Sequence, residues 1–132
     1  MTVGIFTLAA KQITVAVAAE AQTAIEDLDG MTAVTLEAVF AYGSGGATAI
    51  AVVQTSADGG TNWRDIVRFD FTTASAVKVA NLSGLLSKAV TVYAVLAAEG
   101  VLDGILGNKL RAVITTTGTY VNSTLSVRAA VR

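Results

Sequence analysis

Between Val52 and Ile66 the chain carries two β-prone runs separated by Asp58-Gly59-Gly60. Consecutive glycines supply the positive-φ backbone that a hairpin loop needs, and an Asp ahead of them bonds its own backbone. The stretch reads as strand, tight turn, strand, with Asp58, Gly59 and Gly60 as the structural turn. Whatever the chain folds into must place an antiparallel pair here.

The rest of the chain repeats the same period. Val34, Leu36, Ala38, Phe40 and Tyr42 share one parity, with Thr35 and Glu37 on the other. Trp63, Val67, Phe69 and Phe71 fall opposite Arg64, Arg68 and Asp70, and Leu125, Val127, Ala129 and Val131 alternate with Ser126, Arg128 and Arg132. Such alternation marks half-buried antiparallel strands. Strands are expected at 3–8, 12–19, 32–42, 48–56, 62–71, 76–81, 89–97, 109–117 and 123–131, with turns at the intervening Gly, Asp and Asn clusters. Only 19–27 and 98–106 have room for a helical turn. The fold class is therefore all-β: a single antiparallel β-sandwich, jelly-roll or Ig-like, with little helix. One domain spans 1–132, and 1–27 is a candidate extended N-terminal section that contacts neighbours. The chain has no Pro, which commonly blunts sheet edges, so the edges are expected to be covered by neighbouring subunits.

Composition narrows the function. Hydrophobic residues make up 53% and charged residues 14%, against about 25% charged in typical globular chains. No apolar run approaches the roughly 20 residues of a spanning helix, and no basic and apolar leader opens the chain. No membrane association and no secretory signal are expected. The apolar surplus points instead to burial between proteins. A net charge of −1 gives no electrostatic footprint for nucleic acid. Cys and His are absent, which removes thiol and imidazole catalysis and the usual zinc ligand sets. Neither a cofactor nor a metal is expected, nor enzymatic activity.

Several clusters invite a chemical role and are each outweighed by a plainer one. Glu26, Asp27 and Asp29 lack the full ligand pattern of a calcium loop and read as a solvated loop. Gly43-Ser44-Gly45-Gly46 has neither the Lys nor the helix of a phosphate loop and reads as a flexible hairpin connection. Asp58 and Asp65 flank Trp63 as a glycosidase pair would, yet Asp58 belongs to the turn. Trp63 leads an alternating strand and is expected in the core rather than on a binding surface. Arg64, Arg68, Arg111, Arg128 and Arg132 suit bidentate pairing across an interface or ordinary solvated strand faces, and both readings stand.

The hairpin is followed by Phe69-Asp70-Phe71-Thr72-Thr73-Ala74-Ser75-Ala76, Val79-Ala80-Asn81-Leu82-Ser83, Asp103-Gly104-Ile105-Leu106-Gly107-Asn108-Lys109-Leu110-Arg111 and Thr117-Gly118-Thr119-Tyr120. In this order they resemble small head-region proteins of tailed bacteriophages, of the capsid decoration or cement type, over roughly 28–132. The resemblance implies a virion structural protein on the capsid exterior, made in the bacterial host cytoplasm. Its implied partners are the major capsid protein and other copies of itself on the shell. Arg64, Arg68, Lys11 and Gln12 are the candidate interface residues. A neck, tail or fibre subunit is the alternative, and a carbohydrate-binding β-sandwich module is the alternative of another class.

Overall fold

A computed structural model of the chain describes residues 4–132. Its strands are β1 (Gly4–Ile13), β2 (Glu20–Ala21), β3 (Ala33–Ala41), β4 (Ser44–Gly45), β5 (Thr48–Ser56), β6 (Arg64–Phe71), β7 (Ala76–Ser83), β8 (Gly100–Val101), β9 (Lys109–Thr117), β10 (Tyr120–Val121) and β11 (Ser123–Val131). They form two packed antiparallel sheets, ordered β1-β11-β3-β7 and β2-β9-β5-β6-β8, plus the small pair β10-β4. The described residues contain no helix.

The order follows from one hairpin. β5 pairs with β6; the strands outside them, β3 and β7, pair with each other; so do β2 with β9, and β1 with β11. The chain is thus one long hairpin, with its tip in the β5–β6 loop, rolled until β11 meets β3 and β5 meets β9. Nested pairing of this kind is a jelly roll, which manages most of its edges by wrapping. Although β2 is short, the chain after it keeps to the β9 edge: the amides of Gln22, Ile25 and Leu28 donate to Ala112, Leu110 and Asn108 carbonyls.

The inward parity of each long strand fills the core. Leu36, Ala38 and Phe40 of β3 meet Ala49, Ala51 and Val53 of β5, with Ala112 and Ile114 of β9 and Leu125 and Val127 of β11 around them. At one end Phe40, Tyr42, Phe71 and Tyr120 form an aromatic cluster, and Tyr120 donates its hydroxyl to the Thr72 carbonyl at 2.6 Å. Edge-to-face contacts of this sort add about 0.5–1.5 kcal/mol beyond area burial.

Four sequence expectations need correcting. Residues 3–8 and 12–19 are not two strands: from Gly4 to Ile13 the chain is one strand with a bulge at Leu8, which puts Leu8 and Ala9 both in the core. Val3 lies outside the described residues, as does the rest of 1–3. Within the section 1–27, Gly4–Ile13 borders one sheet as β1 and Glu20–Ala21 borders the other as β2. Residues 89–97 alternate but find no strand partner, and neither 19–27 nor 98–106 makes a helical turn. Gly43-Ser44-Gly45-Gly46 is no hairpin connection; it crosses between the sheets and pairs with Tyr120 and Val121.

Gly46 shows why that crossing needs glycine. Its φ is +71°, and a Cβ would run into the Tyr120 ring. Gly59, with φ +76°, has open space around it. Gly59→Ala should therefore cost only the left-handed strain, on the order of 1 kcal/mol, or about 3–6 °C in melting temperature. Gly46→Ala should cost about 1–3 kcal/mol more, through overpacking against Tyr120. Thermal melts of the two variants check this, and equal shifts would contradict it.

Candidate interaction surface

The β5–β6 loop is wider than a two-residue turn and is organised by Asp58. Its carboxylate accepts from the Ser56 hydroxyl (2.8 Å), the Asn62 amide (2.8 Å) and the Asn62 side chain (2.7 Å). The Gly60 amide donates to the Ser56 hydroxyl, and Trp63 donates its indole N–H to the Gly60 carbonyl. Gly59 and Gly60 both have positive φ, as the turn chemistry requires. Hydrogen bonds to the ionised form, chiefly from Asn62, hold Asp58 down at about 2 from 3.8.

Trp63 is not in the core. The β5–β6 ladder passes from Val53↔Val67 to Gln54↔Asp65, which leaves Ile66 as a bulge. One extra residue reverses the parity. Val67, Phe69 and Phe71 face inward, while Trp63 lies half-buried with the Arg111 guanidinium 4.3 Å from its ring centroid. Arg111 also donates to Gln54, and Gln54 to Asp65 at 2.8 Å.

Asp65 is the node of this face and is only 5% exposed. Its amide donates to the Tyr93 hydroxyl (2.8 Å), and its carboxylate accepts from the Leu96 amide (3.1 Å) as well as from Gln54. Arg68 donates to the Leu96 carbonyl (3.0 Å) and to Asp70 (2.7 Å). Glu99 accepts from the Asp70 amide (2.9 Å) and from Lys78 (2.5 Å), and the Lys78 bond holds its carboxyl below the usual range. Residues 93–99 are thereby tied to β6 by side chains, with no backbone ladder.

Upstream of those ties the connection runs over the surface, with Leu86 and Lys88 close to Gly104 and 88–94 lining a pocket with Leu102 and Ile105. Every residue from Leu85 to Val92 is exposed, Val90 at 104% and Val92 at 91% of a free residue's surface. Leu85, Leu86, Val90 and Val92 make this a contiguous apolar exposure, uncommon on a monomer's surface. Sequence reasoning took Val90 and Val92 as strand residues because alternation is the same in a paired strand and an unpaired extended segment. A partner strand cannot be read from the segment itself.

The interface candidates separate once placed. Arg68 is consumed inside the molecule. Arg64 is exposed, donates to the Trp63 carbonyl and lies 5.0 Å from the Tyr93 ring centroid. Lys11 pairs with Glu20 at 2.8 Å and so links the two sheets, lowering the Glu20 pKa. Gln12 is exposed on β1, in register with Thr124. Glu26 pairs with Lys109 (2.9 Å), and among the described residues no group of His, Cys, Asp or Glu is arranged to hold a metal. Asp58 and Asp65 are each bound into separate local networks and form no paired-acid site with one another.

Comparison with family models, curated proteins and solved structures gave no match to this chain.

Two outcomes are expected from this geometry. Because the folded Asp58 pKa lies below the unfolded value, its ionised form stabilises the loop above pH about 3.8, and that contribution disappears as pH falls through about 2. Asp58→Ala should melt below the parent at pH 7, with the gap closing toward pH about 2, as followed by the fluorescence of the lone Trp63. A gap independent of pH would contradict the assignment. Asp65→Ala removes the acceptor of the Leu96 amide and should loosen the segment, speeding chymotryptic cleavage after nearby Tyr93 by about 10-fold or more, since hydrogen bonds to charged groups are worth about 1.5–3 kcal/mol. Unchanged cleavage would mean that Asp65 does not hold the segment.

Proposed function

We propose that this chain is a virion structural protein that decorates the outside of an assembled phage head and stabilises contacts between major capsid subunits. The observation that carries this reading is the exposed apolar segment 85–95. A body whose core is complete exposes Leu85, Leu86, Val90, Val92 and Val95 together on one connection. Five such side chains, if buried, would each contribute about 1.5–3 kcal/mol. The sequence resemblance to phage head-region proteins supplies the identity of the shell. Jelly rolls recur in viral capsid proteins and in lectins, which agrees with the proposal by analogy only.

Binding to a composite site that exists only on the assembled shell stabilises that state by mass action. A decoration protein needs no reaction chemistry for this, only complementary surface. The side chains that could have carried chemistry, Asp58, Asp65, Lys78 and Glu99, are instead used to shape the loop and tether the segment. The carbohydrate-binding alternative is disfavoured by the same contacts: Arg111 lies over the Trp63 ring and Arg64 over the Tyr93 ring, where a sugar would stack.

Quantitative mass spectrometry of purified virions tests the proposal. Hundreds of copies, scaling with the major capsid protein, are expected. A ring-like stoichiometry of about six or twelve would move the protein to the neck or tail. Absence from the particle would overturn the virion assignment altogether.

A further inference from the structure

The β7–β8 connection and the β1 edge are complementary, and they lie at opposite borders of the molecule. Among the described residues, 85–99 make no backbone-to-backbone hydrogen bond, and 85–92 are all exposed, although Leu86 and Lys88 lie close to Gly104. The run Lys88-Ala89-Val90-Thr91-Val92 has strand-forming residues in strand alternation with every ladder group free. Lys88 is the only charge between Gly84 and Ala98.

β1 offers the matching vacancy. It borders its sheet, pairs only with β11, and among the described residues its other edge makes no backbone hydrogen bond. From Gly4 to Ala10 it has neither a Pro nor a charged residue, the usual devices that keep an edge from pairing. Ahead of the bulge, Gly4–Thr7 is a regular stretch that carries Ile5 at 78% exposure. Donor and acceptor are both short and poor in charge, Lys88 being the one charged residue in 4–10 and 88–92, and both expose aliphatic side chains, Val90 and Val92 on one and Ile5 on the other.

The geometry points to a second copy of this chain as the occupant: residues 88–92 of one copy add as a strand to the β1 edge of the next. Strand addition satisfies the free ladder groups of both segments while exposed Val90 and Val92 come to lie along Ile5. A copy cannot close the contact on itself. β1 and β7 are the two ends of one sheet, and 93–96 are tied to β6 at the β7 border. The contact is therefore heterologous, each copy giving at one border and receiving at the other, and it propagates as a ring or a network. It deepens the self-association that the sequence resemblance implies but needs no shell, so this contact and the decoration reading fail separately.

Light scattering of the full chain between about 1 and 100 µM should show mass rising with concentration, and Val90→Asp with Val92→Asp should weaken association at least about 100-fold. Both positions are exposed, so the double variant should keep the parent's circular dichroism and melting. The chain has no Cys, so engineered thiols report one geometry each. Val92→Cys mixed with Ile5→Cys under oxidation should give a cross-linked pair, and neither alone should do so efficiently. A monomer at every concentration, association untouched by the two Asp substitutions, or Val92→Cys linking to itself as readily as to Ile5→Cys would overturn the inference. A monomer that still decorates heads would sink this contact and leave the shell reading standing. An oligomer that never attaches to heads would do the reverse.

Discussion

Everything in this fold depends on the pairing of β5 with β6. Three further pairs nest in order outward from the hairpin that closes at the Asp58 loop, β3 with β7, β2 with β9 and β1 with β11. Each later pair closes a longer loop, and loop-closure entropy grows only slowly with length. The β5–β6 pair is the most local contact of the series and closes the shortest loop. Asp58, Gly59 and Gly60 earn their weight in the sequence for this reason, and the bonds from Ser56 and Asn62 show how a wide loop is held in one conformation.

That dependence explains what could be read in advance. Core faces of β3, β5, β9 and β11 follow strict alternation, so Leu36, Phe40, Ala51, Val53, Ile114 and Val127 are legible residue by residue. Errors arise where one residue is inserted or a partner is missing. The Ile66 bulge reverses parity ahead of it and moves Trp63 from the expected core to the Arg111 stack. The Leu8 bulge hides the continuity of β1, because two adjacent apolar residues in the core look like the seam between strands. Residues 89–97 carry every local mark of a strand, and only the fold reveals that no neighbour is left for them. The tethers of that segment, Asp65 to Leu96 and Arg68 to Leu96, join positions 28 to 31 residues apart and have no signature in either stretch.

The apolar surplus of the composition also finds its place. Much of it is Ala and Val packed between the sheets, where small residues let the layers approach. The remainder is concentrated outside, on the β7–β8 connection and on the open face of β7, where Val77 and Val79 are exposed. Charges, by contrast, are spent internally: Arg68 on Asp70, Lys78 on Glu99, Lys109 on Glu26 and Lys11 on Glu20.

The central claim is that a finished β-roll carries an unfinished segment, completed only on assembly. Hydrogen exchange measured by mass spectrometry, on dilute protein and then on the assembled form, tests it most directly. In dilute protein the β3, β5, β9 and β11 amides should exchange only through global opening, while 85–92 exchange at nearly the free-peptide rate. On assembly, 85–92 should become protected along with the β1 edge. Protection of 85–92 in the dilute chain, or its continued free exchange in the assembly, would contradict the account.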